Sequence, residues 1–182
     1  MKKAMKALLA MGGMMMAVSG MAATTANLTI SVTPNGTKSV ALSQATLDFG
    51  PLNVASVDNI SSSVTVTNDG NIVEALGLRV LTDDAVWSST DTATGPGADR
   101  YNLKALFNSA APINTDFAAN DDVLTGAVVV ATGVGGVYSG NQNALAVPAA
   151  GANTRGLWFK LDMPTTTSVS TARSFVVEVS AN

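Results

Sequence analysis

Residues 64–71 read VTVTNDGN, and this stretch decides the fold class. Val64 and Val66 alternate with threonines, which is the period-two pattern of a strand with one buried face. The four residues at 68–71 then supply Asn and Gly, which tolerate the positive φ angles of tight hairpin turns. A strand that ends in such a turn indicates a sheet protein.

The same alternation recurs on both sides of this stretch, and no helical pattern of useful length interrupts it. About nine strands are predicted, separated by loops rich in Gly, Ser, Asn and Thr. Such short strands predict an all-β fold, an Ig-like antiparallel β-sandwich, with a closed barrel as the other candidate. The predicted strands centre on residues 28–32, 40–42, 47–49, 64–66, 76–80, 101–107, 123–131, 157–161 and 175–179.

A resemblance to a known family covers residues 45–81, about a fifth of the chain. Residues 47–56 read LDFGPLNVAS, and together with VTVTNDGN they resemble the signature of bacterial Ig-like repeats in the choice-of-anchor and ASH-like group. The resemblance implies a seven- to nine-stranded sandwich of the kind found in surface or scaffolding proteins, with Phe49 as a core plug. Ala55 stands near where that signature usually has a glycine. A shared fold does not by itself imply a shared function.

The first 22 residues have the composition of a cleaved signal peptide. Three lysines fall within the first six residues, and an uncharged stretch rich in Leu, Met and Ala follows. Gly20 and Ala22 are small residues at the −3 and −1 positions of a cleavage site, so cleavage is expected after Ala22, with Ala23 or Ala26 as alternatives. The apolar stretch of about 12 residues is too short for a bilayer, which needs roughly 20.

These features predict an exported protein, located in the periplasm, at the cell surface or outside the cell. Residues 23–182 would form one domain, within which residues 23–44 could be a separate N-terminal arm. This part of the chain carries seven basic and thirteen acidic side chains, a net charge of −6. Such a charge disfavours binding to nucleic acid or anionic lipid. No further apolar stretch is long enough to span a membrane.

The chain contains no histidine and no cysteine. Ser-His-Asp and Cys-His catalysis are therefore impossible, and zinc or iron sites are not expected. A Ser-Lys pair could still serve a hydrolase, but this is the weakest of the three functions considered for the chain, and the other two involve no catalysis. Lys104 and Lys160 fall on the polar side of their strands, where solvated lysines are expected. The prediction is a non-enzymatic protein without catalytic residues.

Calcium is the one cofactor for which the sequence offers candidates. Asp116, Asn120, Asp121 and Asp122 supply a dense local set of oxygen ligands. Ordinary solvated turn residues explain the same composition, because Asp and Asn cap backbone N–H groups in turns. We therefore expect no bound cofactor, with calcium as the weak exception.

The N-terminal arm, here residues 23–34, presents Leu28, Ile30 and Val32 on alternate positions and has no charged residue. It would either be the first strand of its own sheet or pair with the edge of a neighbouring subunit, as in donor-strand filaments. Trp158 is a further interaction candidate, because it faces away from the core side of its strand and tryptophan is enriched at interface hot spots.

The primary expectation is a structural or adhesive protein, a homo-oligomeric subunit of a surface or extracellular assembly that acts through β-sheet association. The alternative is a module that binds a carbohydrate or a surface polymer through the long loops 82–100 and 133–154, with or without calcium.

Overall fold

The computed structural model describes residues 27–182 of the chain. The predicted signal peptide, including Gly20, Ala22 and Ala23, lies outside the described residues. Asn35–Asn182 forms one compact unit. The described residues are all-β, with nine strands and one 3-10 helix, Asn114–Asp116. The strands are β1 (Val40–Leu42), β2 (Asn59–Ile60), β3 (Val64–Asn68), β4 (Leu76–Thr82), β5 (Ser88–Thr90), β6 (Arg100–Phe107), β7 (Val129–Val130), β8 (Thr154–Asp162) and β9 (Val176–Ala181).

The strands form two sheets. The larger sheet has the order β1-β3-β8-β6-β5, with β2 also paired to β8, and the smaller has the order β7-β4-β9. Neighbouring strands are antiparallel, as predicted, with one exception: β5 runs parallel to β6, and Ser89 is opposite Tyr101. The nine residues between β5 and β6 form a crossing loop, not a hairpin, so the two strands run in the same direction.

Both sheets contribute side chains to one core, which makes the arrangement sandwich-like. Alternate residues of each central strand point inward, as period-two patterning requires. These side chains are at most 6 % exposed and comprise Leu103, Ala105 and Phe107 of β6, Leu157, Phe159 and Leu161 of β8, and Leu76, Leu78 and Val80 of β4. Burying each large aliphatic side chain stabilises the fold by roughly 1.5–3 kcal/mol.

Three predicted strands are absent or much shorter in the structure. Residues 28–32 and 47–49 have no regular secondary structure. Of the predicted strand at 123–131, only Val129–Val130 is a strand. Gly126 adopts φ 112°, which interrupts an extended path, and an apolar run alone cannot reveal such a break.

The outer face of the larger sheet is also covered, which the sequence did not predict. Segment 108–122 returns over this face after β6, and Lys104 and Lys160 are consequently only 5 % and 7 % exposed. The expectation that these two lysines are solvated is therefore wrong. The physical reason is that an alternating strand shows which residues share a face, but not whether a later segment covers that face.

Candidate functional site

An apolar groove of about 1010 Å³ opens between the two sheets on the side where β1 and β9 lie. Its floor is the inner face of β8, with Leu157 and Phe159, and one wall is β9, with Val177 and Val179. The floor residues are buried, but both valines of β9 are only half-buried. Inward-facing valines at the margin of a sandwich core are normally covered, so the sheets leave apolar surface unfilled here.

The groove is partly covered by residues 44–52, which we call the strap. Leu47, Phe49 and Leu52 of the strap are half-buried and pack against the core. No backbone–backbone hydrogen bond of the strap is found among the described residues. Its one hydrogen bond there is local, from the Gly50 amide to Asp48 Oδ1 at 2.7 Å. The strap is therefore held by side-chain packing and leaves the backbone of β9 unpaired on that side.

Both strands that flank the groove are sheet edges. Within residues 27–182, β1 pairs only with β3, and β9 pairs only with β4. Edge strands offer unpaired N–H and C=O groups to another strand, and many proteins block them with charge. Glu178 is the one charged residue of β9, and its carboxylate is 2.9 Å from the Arg79 guanidinium of β4. This pairing neutralises the charge on the edge.

The predicted interaction residues of the N-terminal arm are almost fully exposed. Leu28, Ile30 and Val32 are 84 %, 82 % and 85 % exposed. An arm that formed the first strand of its own sheet would be paired, but residues 27–39 contain no strand. Within residues 27–182, the predicted strand at 28–32 therefore belongs to neither sheet, and its pairing with a neighbouring subunit stays a prediction.

Trp158 does not belong to the groove. It lies on the outer face of β8, whereas its neighbours Leu157 and Phe159 face the core. Its Nε1 donates a hydrogen bond to the Asn108 carbonyl oxygen at 3.0 Å, and the side chain is half-buried. In this position Trp158 anchors the segment that covers the outer face.

Three of the four calcium candidates use their side-chain oxygens within the fold. Asp121 is buried and accepts the amides of Tyr138 and Ala118, each at 2.7 Å. Asp122 accepts hydrogen bonds from Thr92 and Asn102, and Asp116 accepts the Ile113 amide. No side-chain hydrogen bond of Asn120 is found in the described part of the chain. Burial raises the pKa of the Asp121 carboxyl, although the hydrogen bonds from Tyr138 and Ala118 lower it.

The two long loops are tied to the core. In loop 82–100, Asp83 accepts the Tyr101 hydroxyl at 2.7 Å, and Asp99 accepts the Ser168 amide and hydroxyl at 2.9 Å each. These Ser168 hydrogen bonds lower the pKa of the Asp99 carboxyl. In loop 133–154, Tyr138 is fully buried, and burial raises the pKa of its hydroxyl. Each loop is therefore attached to the rest of the fold at these residues.

Sequence reasoning did not find the groove, because its residues come from segments far apart in the chain. The alternation of Val177 and Val179 predicted that both side chains face the core. It could not show that this face is left partly uncovered, because that depends on the path of the strap. Leu47 and Phe49 are spaced like alternate residues of a strand, so the sequence predicted a strand where the structure has the strap.

Comparison with known proteins identifies no relative: no family model, no curated protein and no solved structure matches the chain. Within residues 27–182, no helix has the length and apolar character needed to cross a membrane.

Proposed function

We propose that this protein is a secreted, non-enzymatic structural subunit of a surface or extracellular assembly, built on an Ig-like sandwich. Its copies associate when the N-terminal arm of one subunit enters the groove of the next and adds a strand to β9. The observation that carries this proposal is that one chain presents an exposed, alternating apolar segment and an unfilled apolar groove bounded by a free strand edge.

The pattern of the arm suits this role. Leu28, Ile30 and Val32 would point together into the groove, and the Thr and Ser residues between them would face solvent. Soluble monomers rarely expose contiguous apolar surface without a partner for it. Each of these three side chains would gain roughly 1.5–3 kcal/mol on full burial.

The length of the arm also suits β9. Seven extended residues, 27–33, span roughly 23 Å, and the six residues of β9 span roughly 20 Å. The arm is therefore long enough to match β9. Because the strap has no backbone hydrogen bonds to the described residues, the arm would pair with β9 without breaking existing ones.

The charge of the two surfaces is compatible with this association. The arm has no charged residue, and the single charge on β9, Glu178, is already paired with Arg79. Burying the arm against β9 would therefore require no unpaired charge to be desolvated. A second copy of this chain is the occupant that the surfaces fit.

The proposal is tested by purifying residues 23–182 and measuring mass by size-exclusion chromatography with light scattering, followed by negative-stain microscopy. We expect oligomers or filaments for the natural sequence. The triple variant Leu28→Ser, Ile30→Ser, Val32→Ser should be a folded monomer. The matched control Thr29→Ala, Ser31→Ala, Thr33→Ala changes the solvent-facing positions and should still assemble.

A synthetic peptide of residues 24–33 should bind the triple variant, whose groove is intact, and a peptide carrying the same three serines should not. A natural sequence that stays monomeric at high concentration would contradict the proposal. Screening the monomer against glycans and cell-wall polymers would then test the alternative, a binding module that uses loops 82–100 and 133–154.

A further inference from the structure

A second feature of the molecule, on the opposite face of the larger sheet, brings together a lysine, an asparagine and an aspartate. Lys160 lies on β8, Asn114 begins the 3-10 helix, and Asp58 immediately precedes β2. The three residues are far apart in sequence, with separations of 46, 56 and 102 positions. The start of a strand paired with β8 and the segment that covers the outer face of β8 therefore meet at this lysine.

The three side chains form a closed triangle of hydrogen bonds. Lys160 Nζ donates to Asn114 Oδ1 at 2.8 Å and to Asp58 Oδ1 at 3.0 Å. Asn114 Nδ2 donates to Asp58 Oδ2 at 2.8 Å. The primary amine thus lies against the carboxamide that it could attack, and one carboxylate contacts both the amine and the amide nitrogen.

The surroundings hold this geometry in place. The Lys160 side chain is 9 % exposed and the Asp58 side chain is 40 % exposed, so burial holds the amine in place more than the carboxylate. Asp58 adopts φ 61°, in the left-handed region that non-glycine residues rarely occupy. Its backbone amide donates to Asp162 Oδ1 at 2.6 Å, which fixes the carboxylate beside β8. Strained backbone of this kind is concentrated at functional sites.

We propose that Lys160 and Asn114 form an intramolecular isopeptide bond, with Asp58 as the group that transfers the protons. Asp58 first accepts a proton from the Lys160 ammonium, and the freed Nζ lone pair attacks Asn114 Cγ. In the resulting tetrahedral intermediate, Asp58 passes that proton to Nδ2 and then removes the excess proton from Nζ. The Cγ–Nδ2 bond breaks as the carbonyl re-forms, and the departing ammonia takes the proton from Asp58, which leaves ammonium and an ionised Asp58.

This reaction needs no oxidant, cofactor or second substrate, because the nucleophile, the electrophile and the proton carrier are all in the fold. Holding the reacting groups within hydrogen-bonding distance replaces a bimolecular encounter with an intramolecular step. Asp58 is a catalytic residue in this scheme, since it contacts both reacting nitrogens.

The bond would have a clear structural value in a chain without cysteine. It would covalently join β8 to the segment that covers its outer face, and it would close a loop of comparable length to those closed by disulfides. By analogy with a disulfide that closes such a loop, its loss should lower the melting temperature by roughly 5–15 °C. The inference is independent of the assembly proposed above.

The test is mass spectrometry of the purified full chain beside its Lys160→Arg variant, which retains the charge but cannot form the bond. The Lys160→Arg chain should have the mass calculated from its sequence. The wild-type chain should be lighter than its calculated mass by the mass of one ammonia. After trypsin digestion, we expect one branched species that joins the peptide containing Asn114 to a peptide left uncleaved at Lys160.

Two further variants distinguish a covalent bond from a network of hydrogen bonds alone. Asp58→Ala retains the amine and the amide and should show the full mass, with normal cleavage at Lys160. The control Lys104→Arg changes the neighbouring buried lysine, whose Nζ bonds the Ala118 carbonyl oxygen, and should keep the branched peptide.

Mass spectrometry of the wild-type chain tests the isopeptide proposal even if a variant fails to fold. Tryptic cleavage at Lys160 with the full wild-type mass would overturn the proposal. Ammonia loss located at Asn35-Gly36, where an Asn-Gly sequence can form a succinimide, would overturn it as well. Neither result would bear on whether the arm drives assembly, which the size measurements decide separately.

Discussion

Lys104 and Lys160 lie directly opposite each other on β6 and β8, on the outer face of the larger sheet. Like charges at opposed positions destabilise a sheet, yet both side chains are almost fully buried. The structure resolves this by giving each ammonium its own acceptors. Lys104 Nζ bonds the Ala118 carbonyl oxygen at 2.7 Å, and Lys160 Nζ bonds Asp58 and Asn114.

Lys104 therefore stabilises the fold through a buried hydrogen bond. Replacing Lys104 by Met should lower the free energy of unfolding by about 1–3 kcal/mol, because the Ala118 carbonyl oxygen loses its donor. Urea denaturation followed by tryptophan fluorescence measures this change. The control is Lys38→Met, at an exposed site, which should shift stability by no more than about 0.5 kcal/mol. Equal effects at the two lysines would show that segment 108–122 does not cover β6 in solution.

The strap should contribute less to stability than the core that it covers. Phe49→Ala should cost about 1–2 kcal/mol, because Phe49 is half-buried, and Phe107→Ala should cost about 3–5 kcal/mol, because Phe107 is fully buried. Hydrogen exchange on the monomeric triple serine variant adds a second measure. Amides of the strap should exchange quickly and those of β4 and β8 slowly. Strong protection of residues 44–52 in that monomer would contradict the structure.

Glu74 should make stability depend on pH with a defined sign. Its side chain is buried, one carboxylate oxygen has no hydrogen-bond partner among the described residues, and burial raises its pKa above the usual 4.5. The folded state thus binds the proton more tightly than the unfolded state, so stability falls as pH rises from about 4.5 through the raised pKa. Glu74→Gln should remove this loss.

Thermal unfolding of the wild type and Glu74→Gln between about pH 4 and pH 8 measures the effect. The Gln variant should gain melting temperature relative to the wild type as pH rises. The matched control is Asp99→Asn, because hydrogen bonds from Ser168 and Thr167 lower the pKa of Asp99. The stability that ionised Asp99 supplies is present above about pH 4 and lost as pH falls through its lowered pKa. Identical pH profiles for the two variants would refute this assignment.

Asp121 should act as a structural brace. Asp121→Ala leaves the Tyr138 and Ala118 amides without an acceptor and should cost about 2–4 kcal/mol, measured by chemical denaturation. Because these oxygens already accept hydrogen bonds, neither added calcium nor a chelator should change the melting temperature. A rise with calcium that disappears in Asp121→Ala would instead restore the sequence-based hypothesis of a calcium site.

The sequence predicted the central strands well, because period-two alternation and turn residues are local signals. β3, β4, β6, β8 and β9 all lie where the alternation placed them. It mispredicted the strap, since the spacing of Leu47 and Phe49 does not show whether a neighbouring backbone is within reach. It also missed the Lys160 cluster, because contacts across 46 to 102 positions leave no local pattern.

The most direct test of the assembly proposal uses the absence of cysteine from the chain. An Ile30→Cys chain is mixed with a Val179→Cys chain under mild oxidation, and the disulfide-linked species are identified by non-reducing electrophoresis and mass spectrometry. We expect the main product to be a heterodimer in which a disulfide joins the arm of one chain to β9 of the other. Far less product should form when Ile30→Cys is mixed with Trp158→Cys, whose thiol lies on the outer face. Equal, slow cross-linking in both mixtures would contradict entry of the arm into the groove.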